Sequence, residues 1–318
     1  MNEKLVNFIE SSFLAELLKD PQITDISFNG VNIFYMHNLL GRKKSDIEIS
    51  VEEVNNFLRQ IANLSERQFS YSSPNLDISA GKYRINALHS SIVRVKDEKS
   101  ISFSIRIASS ELRIKPDGDF MPKKVNDYLI KALNENKSIV ISGGVGTGKT
   151  ELQKYLLNNL KDYSRVIIID DVQELDYLER KENLDISSWQ LLPNNVNATI
   201  DELVRVALRN NPDWIIVAES RGKEMNELMN SVMSGHPIIT TIHAKDLKNI
   251  PNRMARMIET VKTGESNEDI LSDIYEHFDV FVQLKREIKP NGEIFRYVSM
   301  VGESDVDHIK VIYERKKA

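Results

Sequence analysis

Apolar and polar positions follow two different rhythms along this chain. Over the first ~115 residues the apolar runs are short, and several alternate with period two. Ile23-Thr-Asp-Ile-Ser-Phe28 reads as a half-buried strand and ends at Asn29-Gly30, a hairpin turn signal. Val31 to Tyr35 follows as the return strand, and Lys82 to Leu88 and Ser100 to Ile107 read as further strands. Val6 to Leu18 and Val51 to Ile61 carry apolar residues at helical spacing instead. Short strands with helices set apart predict an α+β domain with an antiparallel sheet.

Past the charged stretch Lys115-Pro-Asp-Gly-Asp119 the rhythm changes to strand–helix alternation. The strands are Ile139 to Ile141, Val166 to Ile169, Trp214 to Val217, Ile238 to Ile242 and Val280 to Leu284. Helical stretches lie between them: Asn126 to Asn134, Glu151 to Leu160, Ile200 to Arg209 and Lys223 to Met233. That order predicts an α/β domain whose mostly parallel sheet carries helices on both faces. The expected division is a domain over 1–114, a linker over 115–121 and a second domain over 122–318.

Composition narrows the chemistry. The 318 residues include no cysteine, which removes disulfides, thiolate metal sites and thiol nucleophiles. A formal net charge of −5 gives no global pull toward nucleic acid or anionic lipid. Met1-Asn2-Glu3-Lys4 opens without a signal-peptide apolar region, and no apolar run approaches the ~20 residues that span a bilayer. Work at a membrane is therefore expected to depend on docking to something already there. The basic tail Tyr313 to Ala318 reads as a solvated terminus.

The strongest chemical signal is Gly143-Gly-Val-Gly-Thr-Gly-Lys-Thr150, directly after a predicted strand and before a predicted helix. Glycines let the chain curl so that backbone N–H groups point at a phosphate, and the helix N-terminus adds partial positive charge. Gly143, Gly144, Val145, Gly146, Thr147, Gly148 and Glu151 are thus expected to line a nucleotide. Lys149 is expected to reach the β- and γ-phosphates, and the Thr150 hydroxyl to ligate Mg²⁺.

Hydrolysis needs more: a metal to neutralise charge and a group that positions water. Three later segments offer them. Val166 to Ile169 runs into Asp170, Asp171 and Glu174, carboxylates at the strand edge where ligands bind. Trp214 to Ala218 leads to Glu219, with Arg221 beside it to favour the ionised form a base needs. The strand Ile238 to Ile242 carries His236 at one end and His243 at the other. A histidine donor in a phosphate site senses the γ-phosphate or stabilises developing charge, whereas a lone histidine is ordinarily structural. Arginines are needed for charge on the γ-phosphoryl oxygens. Arg84, Arg94 and Arg106 in the first domain, and Arg205 and Arg209 in the second, are the candidates; a surface ion pair is each one's ordinary role.

The order of these segments resembles the type II/type IV secretion ATPase superfamily, the traffic ATPases. Ser142 to Thr150 looks like its Walker A loop, Ile169 to Leu175 like its Asp box, Val217 to Gly222 like its Walker B box, and Gly235 to Ala244 like its His box. Asp20 to Gly30, Gly81 to Asn86 and Ser104 to Arg106 are similar to segments of that family's N-terminal domain, and Asp279 to Arg286 to a late strand of the motor domain. The short N-terminal domain and the missing zinc cysteines look like the type IV secretion/conjugation branch or the tight-adherence pilus branch.

The resemblance implies a RecA-like P-loop domain, preceded by the smaller α+β domain, that hydrolyses ATP with Mg²⁺. It implies a cytoplasmic homohexameric ring, with ATP bound between the two domains, docked at the inner face of a membrane-embedded secretion or conjugation machine. Lys149 and Thr150 would hold phosphate and metal, and Glu219 would act on the water. Glu174 and Asp171 would support metal and water, His236 and His243 would report the γ-phosphate, and Arg106 with Arg84 would clamp from the first domain. The chain departs from the family pattern at Asp170, where Glu is usual, at Ala218, where Gly is common, and at Ser220, where an apolar residue is common. Two other readings stay open: a nucleotide-gated scaffold with little turnover, and a RecA-like nucleic-acid motor. The acidic balance argues against the second, so no direct nucleic-acid binding is expected.

Overall fold

In the computed structural model, period-two alternation becomes a sheet with one dry face. The structure describes residues 2–114, 118–171, 174–176, 181–192, 195–261 and 264–316. The chain divides into two units, one of residues 1–109 with 288–295, the other of 110–287 with 296–318. Residues 115–117 of the expected linker lie outside the described residues, as do Val172 and Gln173 of the Asp box and the last two residues of the tail.

In the first unit the chain runs α1 (Asn2–Glu10), α2 (Ala15–Leu18), β1 (Ile23–Phe28), β2 (Ile33–His37), β3 (Gly41–Lys44), α3 (Val51–Leu64), β4 (Asn75–Ala80), β5 (Tyr83–Leu88), β6 (Arg94–Val95), β7 (Glu98–Lys99) and β8 (Ser102–Ile107). Among the described residues six of these strands form one sheet, in the order β3-β2-β1-β8-β5-β4. Neighbouring strands in it pair antiparallel, as the alternation predicts. Ile26, Phe28, Ile78, Ile85 and Ile105 join Leu5, Ile9, Val54, Phe57 and Leu58 of α1 and α3 in one core. Helix α3 starts at a capping box: the Ser50 hydroxyl accepts from Glu53 N, and the Glu53 carboxylate accepts from Ser50 N.

Two sequence expectations change here. The helix expected over Val6 to Leu18 is two helices, because the Ser11 and Ser12 hydroxyls donate to Asn7 O and Ile9 O and divert the backbone at the end of α1. The Asn29-Gly30 turn is a wider loop. The Asn29 side chain accepts from Val31 N and Asn32 N, so the return strand begins at Ile33.

The second unit contains α4 (Lys123–Asn134), β9 (Ile139–Gly143), α5 (Lys149–Asn158), β10 (Arg165–Asp170), β11 (Asp185–Gln190), α6 (Ile200–Ala207), β12 (Trp214–Val217), α7 (Glu224–Met233), β13 (Ile238–Ile242), α8 (Ile250–Ile258), α9 (Asn267–His277), β14 (Val280–Ile288), β15 (Ile294–Asp305) and β16 (His308–Glu314). Among the described residues its sheet has eight strands in the order β11-β10-β12-β13-β9-β14-β15-β16. From β11 to β14 neighbours run parallel, and β15 pairs with β16 antiparallel.

Both faces of the parallel part are buried, which is why its strands read as unbroken apolar runs. Ile139 and Ile141 pack into one core with α4 and α5, whereas Val140 between them packs into the other with α6, α7, α8 and α9. The register sets the position of everything that follows. Ile242 is opposite Ser142, Thr240 is opposite Val217, and Val217 is opposite Ile169. Residues just beyond these strand ends therefore share one edge of the sheet, the carboxyl-terminal edge where open α/β sheets bind ligands.

Candidate nucleotide site

The glycine-rich loop leaves β9 at Gly143 and enters α5 at Lys149. Two of its glycines, Gly146 and Gly148, hold positive φ angles of 69° and 96°, a region that side chains disfavour. Gly143 is required for a different reason. A Cβ there would lie 2.5 Å from Thr147 Oγ1 and 2.9 Å from Leu284 O. The Thr147 hydroxyl donates back to Gly144 O at 2.9 Å, closing the loop on itself.

Lys149 is only 9% exposed, and its ammonium group donates to Gly143 O at 3.0 Å and Gly144 O at 3.1 Å. Burial lowers its pKa to about 8; the Glu219 charge opposes that shift and the Arg221 charge adds to it. With its amine curled onto the loop's own carbonyl oxygens, Lys149 stands where an incoming phosphate offers it a better partner.

Glu219 lies two residues past the end of β12. Its Oε1 contacts His243 Nε2 at 3.1 Å, and its Oε2 accepts from Arg221 at 2.9 Å. Burial alone would raise the Glu219 pKa. The Arg221 hydrogen bond and charge, with His243 and Lys149, outweigh it, and the carboxyl sits below its ordinary value. His243 follows β13 directly and lies 3.5 Å from Lys149 Nζ. Burial and then the Lys149 charge push its pKa down, so the ring is neutral at pH 7. Its Nε2 stands between the Lys149 ammonium, which can only donate, and the Glu219 carboxylate, which can only accept. Lys149, His243 and Glu219 thus form a line of cation, neutral imidazole and carboxylate beside the loop.

The remaining predicted residues fall into place unevenly. Thr150 follows Lys149 in the first turn of α5. Glu151 turns its carboxylate to Arg113 N at 2.6 Å and to the buried Lys154 at 3.4 Å, which leaves its helix-start backbone N–H as its contribution to the loop. Asp170 ends β10 almost fully buried, and its carboxylate accepts from Leu175 N at 3.2 Å. That bond gives Asp170 a loop-holding role. Asp171 faces the Arg221 charge and raises its pKa. Glu174 opens the short described stretch 174–176, half-buried.

His236 is separated from this group. It precedes β13 whereas His243 follows it, and the five residues of the strand put the two at opposite edges of the sheet. The Walker-type loop is at the His243 edge, because β9 and β13 run parallel. Arg84 and Arg106 are cross-strand partners on β5 and β8 of the first unit. Their ion pairs are with Asp77 and Asp25, each at 3.6 Å. Arg205 pairs with Asp201, Glu202 and Glu227, and Arg94 donates to backbone oxygens near its own turn.

Sequence reasoning overlooked two arginines beside the loop. Arg296 donates through Nε to Gly146 O at 2.7 Å, and a Cβ on Gly146 would lie 2.9 Å from Arg286 Nη1. Burial, and then the Arg286 charge, lower the Arg296 pKa to about 10. Arg296 sits between apolar positions in Ile294-Phe-Arg-Tyr-Val298, a strand pattern that marks a charged side chain at a sheet and says nothing of which loop it meets.

Comparisons with known proteins bear on the family and the fold. A family model described as Type II/IV secretion system protein matches residues 87–291. An uncharacterized protein of Bacillus anthracis is 30% identical over 97% of this chain and 71% of its own length. The type IV secretion system protein VirB11 of Brucella suis is 33% identical over 48% of this chain, and the match spans 42% of that protein, less than half its length. Among solved structures, the ATPase DotB of Legionella pneumophila superposes with a TM-score of 0.71 over 92% of this chain and 80% of its own, at 20% identity, a likeness of fold. The family match covers well over half of the sequence and contains the glycine loop, Glu219 and His243, so the chain belongs to the type II/IV secretion system protein family, the traffic ATPases.

Proposed function

We propose that this protein is an ATP-hydrolysing motor subunit that powers macromolecular transport or pilus assembly. The observation that carries the reading is the placement of Glu219. An ionised carboxylate stands at the tip of a buried strand, 3.1 Å from a neutral histidine that itself lies 3.5 Å from the lysine of a phosphate loop. That is the arrangement needed to accept a proton from an attacking water while a cation neutralises the phosphate.

In this reading the loop N–H groups and the start of α5 take the phosphates. Lys149 exchanges Gly143 O and Gly144 O for phosphate oxygens, a gain because both partners are then charged. Glu219 holds and deprotonates the water, and Arg221 keeps it ionised while it waits. His243 donates toward the γ-phosphate once a nucleotide draws it from Glu219. The Thr150 hydroxyl and the carboxylates of Glu219 and Asp171 are hard oxygen donors of the kind Mg²⁺ accepts, few enough to leave room for water and phosphate oxygens. They would hold that ion, which neutralises charge on the phosphates.

The finer assignments follow the same reading. Residues 1–114 act as ring-forming and nucleotide-clamping domain, with Arg84 and Arg106 as its donors, and 122–318 as the motor. The working assembly is a homohexamer, docked from the cytoplasmic side on a membrane-embedded type IV secretion or conjugation machine. Among the described residues no helix is long and apolar enough to cross a membrane, which fits attachment through partners. Release of phosphate from ATP by the purified protein, with sizing in the presence and absence of nucleotide, tests both levels. A protein that binds ATP and releases no phosphate would be a nucleotide-gated scaffold instead.

A further inference from the structure

Glu219 has no strand ladder of its own to hold it, because β12 ends at Val217. Its neighbours on either side are nevertheless fixed to β13. The Ser220 hydroxyl pairs with the Thr240 hydroxyl at 2.8 Å, and Ser220 N donates to Thr241 O at 2.8 Å. The Thr241 hydroxyl donates to Ala218 O, also at 2.8 Å. Adjacent residues of a strand point to opposite faces, so Thr240 and Thr241 grip the 218–220 segment from the two sides of the sheet. Gln153 of α5 adds a third tie. Its amide donates to Val217 O at 2.9 Å and Ile239 O at 3.2 Å, bridging the same two strands from the phosphate-loop helix.

We propose that the Ser220–Thr240 hydroxyl pair is a positioning device that fixes the Glu219 carboxylate on His243. The inference rests on the ATPase reading and names residues that reading does not use. Ser220 is 1% exposed and Thr240 0%, so water does not compete for their bond. Arg221, the other group bound to Glu219, has a side chain 67% exposed and cannot set a fixed position by itself. His243 stands two residues after Thr241 on the same strand end. One element therefore pins the backbone of Glu219 and also carries the partner of its carboxylate, and the two are kept in register. Filling position 220 with an apolar side chain would leave the Thr240 hydroxyl buried without its partner, which explains a serine there.

Thr240→Val keeps the side-chain shape and removes the hydroxyl, Ser220→Ala removes its partner, and Thr240→Ser restores a hydroxyl. For the purified full chain, Thr240→Val, Ser220→Ala and the double variant are each expected to lower kcat about tenfold with KM within twofold. The double should be no worse than either single, and Thr240→Ser should turn over like the parent. In a Glu219→Gln background neither change should lower the residual rate further, whereas a merely structural role would lower it there too. Crystals of nucleotide-free Thr240→Val should show the Glu219–His243 contact broken. Parent-like turnover in both single variants, equal losses in the Glu219→Gln background, or an intact Glu219–His243 contact in those crystals would overturn the proposal. Absence of phosphate release from the parent would sink the ATPase reading instead, and the crystals would still decide the clasp.

Discussion

The Glu219 carboxylate is shared between two partners of different kind: His243 at 3.1 Å on one oxygen and Arg221 at 2.9 Å on the other. The histidine is neutral and the arginine permanently charged, so the electrostatic hold on Glu219 comes mainly from Arg221. Replacing Arg221 by Ala leaves burial to act with less opposition. The Glu219 pKa then rises, and the acid limb of the kcat–pH profile moves to higher pH. A profile with an unmoved acid limb would remove Arg221 from this role.

Lys149 makes nucleotide binding sensitive to alkaline pH. In the free protein burial brings its pKa to about 8, and phosphate stabilises the protonated amine. Affinity should be flat below pH 8 and weaken by up to about tenfold per unit above it, with protons taken up on binding. The same shift has a stability sign. Between pH 8 and the ordinary lysine range the unfolded chain binds more protons than the folded one, so stability from this group rises with pH. Calorimetry at pH 8.5 in two buffers of different ionisation enthalpy reads the proton uptake, and equal heats would contradict it.

Gly143 admits no side chain. In Gly143→Ala the methyl group meets Thr147 Oγ1 and the Leu284 carbonyl, one of which is backbone and cannot step aside. Loss of about 1–3 kcal/mol and of nucleotide binding is expected, read by thermal melting and a fluorescent-nucleotide titration. Unchanged binding would mean that the loop tolerates a wider opening at β9.

The first unit offers a control that touches stability alone. Ser50→Ala removes one half of the α3 capping box and should cost about 1 kcal/mol. Ser50 lies outside the nucleotide machinery, so phosphate release at low temperature should match the parent. Denaturant unfolding checks the first expectation, and a drop in turnover would contradict the second.

Much of this was legible in the order of residues. Trp214 to Val217 and Ile238 to Ile242 are strands at their expected bounds, because strands buried on both faces must be apolar throughout. Lys149, Glu219 and His243 were readable together, since parallel strands deliver their carboxyl ends to one edge. His236 and His243 were read at opposite ends of their strand, and they are: one precedes β13 and the other follows it. β11, with half-buried Ser187 and Ser188, was missed because an edge strand lacks the apolar run of its neighbours. The Ser220–Thr240 pair was invisible, since two hydroxyls on different strands meet only through register.

Glu219 is proposed as the base in ATP hydrolysis. Phosphate release by Glu219→Gln measures it most directly, beside an ATP-binding titration on the same protein. Binding within a few-fold of the parent and turnover lower by at least about 100-fold are expected. Parent-like phosphate release from Glu219→Gln would contradict that role.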